Sequence, residues 1–349
     1  MMTIRSKTLQ PKDWAAKAPD YIREAKLMDI SIRPPSINKS HYDFLIRDDE
    51  IYFGFNAIRG IGVGAAKMII RARQKTPFQN VYDLLNRINL SKFNTGKFQS
   101  LVLAGCFDNL GYNRLSLYHN TTALYDYVKG VPEYEERLVE KKQRDEENAE
   151  KTILIEERDL LRKELKKLER KLKKDPNSVE IQLEIDKVEE DLLPYEEMKL
   201  RRLPALRERA MPEKPEIERA RNVRLTLPEI IAQGHYIGCF IDNHPSKSIG
   251  SECHKLNDVW LGQRVRVCVA ISSIKEITTS RGKKMAFLGV DDDTGAAEVV
   301  LFSSIWADTD KEKLEENRLA YIEGIVDQES DPVKLKAKRI MICEVDKIE

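Results

Sequence analysis

The residues best suited to chemistry are the glycines of a short run, Gly60-Ile61-Gly62 followed by Gly64. Glycine permits a tight hairpin and leaves backbone N–H groups uncovered, and a helix that begins beside them adds the positive end of its dipole. Arg59 and Lys67 add positive charge on either side. The run therefore predicts a helix-hairpin-helix clamp on nucleic-acid phosphates. An ordinary glycine turn that caps a helix is the alternative interpretation.

The local charge favours a phosphate ligand. The whole chain has 59 Lys and Arg against 58 Asp and Glu, so its net charge of +1 gives no general argument for a polyanion partner. Between Arg59 and Arg114, however, nine Lys or Arg stand against two Asp, an excess of seven. Contacts to phosphates carry no base information, so we expect binding without sequence preference. The predicted duplex contacts are Arg59, Gly60, Gly62, Gly64, Lys67, Arg71, Lys92 and Lys97.

The C-terminal part of the chain predicts a β-barrel. Val265, Val267, Val269 and Ile271 alternate with other residues, which is the pattern of a half-buried strand. A helical stretch is expected around Asp308–Glu316. Five strands with a helix between the third and the fourth are the order of an OB-fold. The four further strands are expected at Met285–Val290, Ala297–Phe302, Leu319–Val326 and Val333–Ile342.

This barrel offers a second surface for nucleic acid, in this case a single strand. Basic side chains that follow the backbone, together with aromatic rings that stack on bases, are what such a surface needs. The region from Asp258 to Glu349 nevertheless has fourteen Lys or Arg against eighteen Asp or Glu. Single-strand binding and a purely structural barrel therefore both remain open. The candidate contacts are Arg266, Arg281, Lys283, Lys284 and Phe287, with Phe302 and Tyr321 as alternative stacking rings.

Helices must hold the glycine hairpin in place. Apolar residues recur at three- and four-residue steps and predict helices over Lys12–Met28, which includes Trp14, over Gly64–Gln74 and over Val81–Ile88. A further helix is expected from Asn94 to Ala104, with Asn94 or Thr95 as its N-cap and Gly105 as its end.

The middle of the chain has the composition of long helices. From Pro132 to Arg202 it is rich in Glu, Lys, Arg and Leu. Apolar residues step by three, four and seven on both sides of a break at Asp175-Pro176-Asn177. This rhythm predicts an antiparallel helical hairpin with a coiled-coil seam. The expected seam residues are Leu154, Leu161, Leu165, Leu168 and Leu172 on one helix and Ile181, Ile185, Val188 and Leu192 on the other.

Several classes of site receive little support. The five cysteines are widely spaced, without a CxxC pair, which indicates reduced thiols in a cytoplasmic protein. Asp291-Asp292-Asp293 is better explained as a turn than as a metal site, and His235, His244, Cys253 and His254 match no zinc spacing. We therefore expect no metal, no cofactor and no catalytic residue in this chain. We also expect no membrane partner, because no apolar run approaches about 20 residues.

Four stretches together resemble the region that follows the fingers in the bacterial replicative DNA polymerase III alpha subunit, a family C polymerase. They are Tyr21–Ile30, Pro34–Ser40, Phe53–Gly64 and Leu103–Gly111. His235–Pro245, Arg281–Phe287 and Asp293–Gly295 resemble that family's approach to its OB domain and the OB domain itself.

The resemblance implies that tandem helix-hairpin-helix motifs grip product duplex and that an OB domain lies near the single-stranded template. The second of these hairpins would lie around Ser91–Lys97, which lacks the Gly-hydrophobic-Gly core. It also implies a partner chain, because nothing here resembles the palm, whose aspartates hold Mg²⁺, or the histidine-rich N-terminal phosphoesterase domain. No Gln-x-x-Leu-Phe peptide for sliding-clamp attachment is found. A split polymerase, encoded by a phage or another fragmented genome and acting in the cytoplasm of a bacterium or of a phage-infected host, is the first hypothesis, and a truncated piece of a full polymerase is its variant. A stand-alone DNA-binding replication accessory protein and a helical-hairpin scaffold are the alternatives.

The sequence thus predicts an α+β multidomain protein with a tandem helix-hairpin-helix domain, a helical-hairpin insertion and a C-terminal five-stranded OB-fold barrel. The expected segments are a fingers-like helical end at 1–50, the helix-hairpin-helix domain at 51–128, the hairpin insertion and linker at 129–224, a connector at 225–257 and the barrel at 258–349.

Overall fold

The computed structural model describes residues 18, 20–25, 27–47, 50–198, 200–220, 225–241, 243–330 and 332–344. The chain forms two compact units, one of Met1–Tyr125 with Lys214–Glu349 and one of Asp126–Glu213. Trp14 and the first part of the predicted N-terminal helix lie outside the described residues. Within that prediction, residues 20–25 are helical, and Ile22 and Ala25 are buried as the apolar spacing requires.

A small sheet precedes the glycine hairpin. Its strands are β1 (Ser31–Arg33), β2 (Leu45–Arg47) and β3 (Glu50–Tyr52), in the order β1-β3-β2, with β1 parallel and β2 antiparallel to β3. The apolar run Ile51–Phe55 predicts an extended stretch, but β3 ends at Tyr52. It ends there because Phe55–Ala57 forms a turn of 3-10 helix that buries Phe55.

Four short helices build the first half of the first unit. They are α1 (Val63–Ala72), α2 (Val81–Arg87), α3 (Thr95–Leu103) and α4 (Arg114–His119). The ends of α1, α2 and α3 agree with the predicted ones to within two residues, whereas α4 was not predicted. Gly105 has a left-handed φ of +88° just after α3, which confirms it as the stop. The core between the helices holds fully buried rings, Phe53, Phe55, Phe78, Phe93 and Phe98.

The second unit contains the predicted helical hairpin, made of α5 (Thr121–Leu172) and α6 (Val179–Glu197). The chain turns between them over the predicted break. Leu168, Ile185 and Leu192 are buried along the seam. Arg162 of α5 pairs with Glu196 of α6 at 3.1 Å, which confirms that the helices lie side by side.

α5 begins well before the change in composition at Pro132. Leu124 and Tyr125, in its first turns, are buried in the first unit, and this packing starts the helix at Thr121. The proline lies inside the helix and is tolerated there. The helix thus runs through the segment border that we expected at residues 128 and 129.

The connector after α6 lies along α5. Asn148 of α5 donates to the carbonyl of Leu203 at 3.1 Å and accepts from the Leu203 N–H at 2.7 Å. Arg144 donates to the carbonyl of Pro204 at 3.1 Å. A side chain that binds both backbone groups of one residue fixes an extended segment without a sheet.

The C-terminal strands close into a barrel with the order β4-β5-β6-β8-β7. The strands are β4 (Arg264–Thr278), β5 (Lys284–Asp291), β6 (Ala296–Leu301), β7 (Leu319–Gln328) and β8 (Val333–Ile342). Helices α7 (Leu227–Ile237) and α8 (Ser246–Ile249) precede them. The order and the single parallel pair, β6 with β8, are those of an OB-fold.

The helix of the barrel is not where the sequence predicted it. Helix α9 spans Ser303–Asp308, whereas residues 309–316, the rest of the predicted stretch, are not helical. Trp306 explains the earlier position, because it is buried against the barrel core from this helix. The charged residues that follow favour a helix by composition, but burial of the tryptophan outweighs propensity in this segment.

β4 is long enough to pair with two neighbouring strands. Its first half pairs with β7 and its second half with β5, and its register shifts between Ile271 and Ser273. Such a bulge bends a strand and lets a five-stranded sheet close.

No described helix is both long enough and apolar enough to cross a bilayer.

Candidate nucleic-acid interface

The first hairpin presents an open helix N-terminus. Gly62 is the N-cap of α1, and no side chain caps that helix end. A β-carbon at Gly62 or at Gly64 would meet nothing within 4 Å. The adjoining Ile61 is buried and anchors the turn. The first N–H groups of α1 are therefore exposed beside two uncovered glycines, which is the arrangement that a phosphate oxygen requires.

Gly60 has another task in the same hairpin. Its φ of +84° lies in the left-handed region, and a β-carbon there would stand 2.8 Å from Oγ of Ser100 on α3. The glycine therefore allows the turn and the close approach of the second hairpin. Of the three predicted glycines, Gly60 shapes the site, whereas Gly62 and Gly64 leave it open.

The second hairpin lies between α2 and α3, and its glycine was missed in the sequence. Asn94 is the N-cap of α3 and accepts from the N–H of Lys97 at 3.1 Å. Gly96 stands two residues after this cap, as Gly64 does after Gly62, and its nearest contact for a β-carbon is 3.9 Å away. The shared spacing between cap and glycine was the signal that could have identified it.

A buried tyrosine holds this second hairpin. The hydroxyl of Tyr125 on α5 donates to the carbonyl of Phe93 at 2.9 Å and lies 3.2 Å from that of Asn94. Burial raises the pKa of this phenol well above its usual range. The N-cap of α3 is thus positioned by a residue 31 places further along the chain.

Only some of the predicted cations are available. Lys67, Arg71 and Lys92 have exposed side chains, with no ion pair among the residues that the structure describes. Lys97 donates from Nζ to the carbonyl of Lys92 at 2.7 Å, which ties the loop to α3. Lys67 and Arg71 follow Gly64 at three and seven residues, so all three lie on one face of α1.

Arg59 joins the hairpin to the barrel instead of standing free. Its guanidinium lies 3.9 Å from the carboxylate of Glu316 in the loop before β7. Its backbone N–H donates to the carbonyl of Tyr236 on α7 at 2.8 Å. These contacts indicate that Arg59 positions the hairpin against the rest of the unit.

The local excess of seven positive charges overstates the free charge. Three of the nine cations are structural: Arg73 donates to the carbonyls of Ile37 and Ser40, Arg87 donates to that of Thr76 at 2.9 Å, and Arg114 pairs with Asp108. Burial lowers the pKa of Arg73 to about 10. Arg73 and Arg87 bind backbone carbonyls and Arg114 binds a carboxylate, and these groups come together only in the folded unit.

The candidate residues of the barrel lie on two surfaces, one around β4 and β5 and the other around β4 and β7, which we call the two walls of the barrel. Arg281 and Lys283 are exposed in the loop between β4 and β5, and Lys284 pairs with Glu276 at 2.6 Å. Phe287 is half-buried on the outer face of β5, between Lys275 of β4 and Val300 of β6 in the strand register. An aromatic ring flanked by a cation on such a wall suits a stacked base.

Arg266 does not lie with this group. It is on the half of β4 that pairs with β7, 3.9 Å from Glu323, and its guanidinium covers the ring of Tyr321 at 5.1 Å. The alternative stacking ring Tyr321 is thus already occupied. Phe302, the other alternative, is 45% exposed at the start of α9.

The aspartate run forms a turn, as its sequence suggested. Asp292 accepts from the N–H groups of Leu256, Thr294 and Gly295, at 2.7 to 2.9 Å. Asp293 pairs with Lys255 at 2.6 Å. Among the described residues, no group of three His, Cys, Asp or Glu side chains is arranged to hold a metal ion. All five cysteines are free, and burial raises the pKa of Cys268 to about 12.

Comparisons with known proteins agree with this geometry. Residues 29–117 match the model of the helix-hairpin-helix motif, and residues 265–342 match that of the OB-fold nucleic acid binding domain. Over the first region the chain is 39% identical, across 104 residues, to the DNA polymerase III subunit alpha of Campylobacter jejuni, covering 29% of this chain and 9% of that protein. The resemblance to the alpha subunit is confirmed.

Another DNA polymerase III subunit alpha matches a similar share of this chain at similar identity. The DNA polymerase III subunit alpha of Escherichia coli is 36% identical over 110 residues, which are 31% of this chain and 10% of that protein. The match thus spans about a tenth of the length of these relatives. Among solved structures, a domain of replication protein A from Methanococcus maripaludis aligns with 28% of this chain and 98% of its own length, at 18% identity and a TM-score of 0.23.

Proposed function

We propose that this chain is the DNA-binding C-terminal part of a replicative DNA polymerase of the DNA polymerase III alpha type. Its two hairpins grip the product duplex, and its barrel approaches the single-stranded template. One observation carries this proposal. The glycines at the starts of α1 and α3 are uncovered in the region that matches the alpha subunits.

The two hairpins contribute differently to the grip. α1 offers uncapped N–H groups, with Lys67 and Arg71 on the same face as Gly64. α3 has its first turn capped by Asn94, so Lys92 and the open backbone at Gly96 supply its contact. Phosphates on the two strands of the duplex are then held by backbone dipoles and by lysine or arginine charge. These contacts do not depend on the DNA sequence.

The catalytic centre belongs, in this proposal, to a companion chain. The palm with its aspartates and its Mg²⁺ would be supplied by that polymerase core, and the complex would act in the cytoplasm of a bacterium or of a phage-infected cell. The role of this chain is then to retain the product while the core performs nucleotide transfer. Attachment to a sliding clamp is not part of the proposal.

A double variant, Gly62→Val with Gly64→Val, tests the grip. Both positions have ordinary φ values and open space, so the fold accepts the side chains, which would nevertheless cover the N–H groups. We expect the Kd for a mixed-sequence duplex to rise about tenfold or more, because charge-assisted hydrogen bonds contribute about 1.5–3 kcal/mol each. Thr122→Val with Ser304→Val adds two valines at exposed helical positions and should leave the Kd unchanged. An equal Kd for both double variants would contradict the proposal.

Co-purification from the native source tests the partner. We expect a palm-bearing polymerase chain to accompany this protein, and primer extension by that chain to become more processive when this protein is added. If no such chain associates and extension does not change, the split-polymerase function is wrong, and a stand-alone accessory protein is the function that retains the duplex binding.

A further inference from the structure

The far end of α5 has an unusual distribution of charge. From Arg162 to Lys174 there are eight Lys or Arg and two Glu, a net charge of +6. The opposite helix, α6 (Val179–Glu197), has one Lys and eight Asp or Glu, a net charge of −7. The helical hairpin therefore has one basic and one acidic helix.

The basic residues form a stripe on the outward side of α5. The seam residues Leu161, Leu165, Leu168 and Leu172 face α6, and at 100° per residue the stripe lies on the side of the helix opposite to them. All its members are exposed. Five members, Lys163, Lys166, Lys167, Arg170 and Lys171, span about 12 Å of α5. Lys174, in the turn that follows α5, is the sixth member of the stripe.

The first half of α5 shows what an ordinary solvated helix surface looks like. There, Lys142 pairs with Glu146, Arg144 with Glu140 and Lys151 with Glu147, each at i, i+4 spacing. In contrast, no stripe residue has an ion pair in the part of the chain that the structure describes. Like charges at three- and four-residue steps repel each other, so the stripe costs helix stability when nothing neutralises it.

We propose that this stripe binds the phosphate backbone of duplex DNA, as an additional contact independent of the two hairpins. Duplex DNA carries about one negative charge for every 1.7 Å of its axis, so an uninterrupted row of cations on one helix side has several phosphates within reach. The acidic α6 on the other side of the seam disfavours binding in the reverse orientation. Binding is sequence-independent, because lysine reaches phosphates as a point charge.

The salt dependence of duplex binding tests this inference in the full-length chain. The variant Lys163→Gln, Lys167→Gln, Lys174→Gln removes three of the six charges of the stripe and preserves the helix, because glutamine is a good helix former. The slope of log K against log salt is negative, and each lost phosphate contact reduces its magnitude by about 0.9, so we expect a decrease in magnitude of about 2 to 3. Circular dichroism should show an unchanged helix content.

A matched control separates the stripe from net charge. Lys142→Gln, Lys187→Gln, Lys313→Gln removes the same charge from exposed lysines outside it, and its slope should stay close to that of the wild type. An unchanged slope in the stripe variant, or an equal decrease in both variants, would overturn the inference and would leave an acidic protein surface as the ligand of the stripe. The Gly62 and Gly64 variants test the hairpins separately, so the failure of one proposal is distinguishable from that of the other.

Discussion

Gly60 of the first hairpin lies directly against Ser100 of α3, so closely that a β-carbon at the glycine would stand 2.8 Å from the serine Oγ. The two hairpins therefore meet at a point where no side chain fits. The contact sets how the starts of α1 and α3 are presented together, and with them the surface that we assign to duplex DNA.

Replacement of Gly60 should destabilise the first unit. Gly60→Ala combines the cost of a left-handed φ, about 1–2 kcal/mol, with the contact to Ser100. Urea denaturation followed by the fluorescence of the chain should show a lower midpoint. Adding Ser100→Ala should recover only the contact part of the loss. Full recovery would mean that the backbone conformation at Gly60 is not strained.

Gly64→Ala should affect stability and binding in opposite directions. Glycine inside a helix is less favourable than alanine by about 1 kcal/mol, and the position has open space for a methyl group. We expect a small increase in the denaturation midpoint together with weaker duplex binding, measured by fluorescence anisotropy. Tighter or equal binding by the stabilised variant would show that phosphates do not approach this glycine.

Removal of the Tyr125 hydroxyl should loosen the second hairpin. Tyr125→Phe leaves the carbonyl of Phe93 without its donor, at a cost of about 1 kcal/mol. We expect a lower unfolding midpoint and a weaker duplex complex, because the N-cap of α3 follows Phe93. Tyr195→Phe, in which the lost hydroxyl lies 3.1 Å from Glu157 in the other unit, is the control that should bind duplex normally.

The two walls of the barrel should differ in their effect on single strands. Phe287→Ala removes a ring whose stacking on a base contributes about 1–3 kcal/mol, so the Kd for an oligothymidine should rise about fivefold or more. Arg266→Gln should change it little, because its guanidinium is engaged by Glu323 and Tyr321. A larger loss from Arg266→Gln would move the binding face to β4 and β7.

The local elements were predictable for a physical reason. The strands of the barrel, the helices around the hairpins and the seam of α5 and α6 follow from residue periodicity and from caps such as Asn94, which act over a few residues. The helix of the barrel was misplaced because Trp306 is anchored by strands far away in sequence, and a charge pattern contains no information about that anchor.

The sequence by itself thus determined the order of the modules, the glycine turn that marks the first hairpin and the resemblance to a polymerase subunit. Only the tertiary structure decided which charges are available. Arg73, Arg87 and Arg114 look identical to Arg71 in a local count, yet they bind carbonyl or carboxylate groups of the folded unit, whereas Arg71 stays exposed. The partners of a buried cation are assembled by long-range packing, so periodicity and composition could not distinguish them.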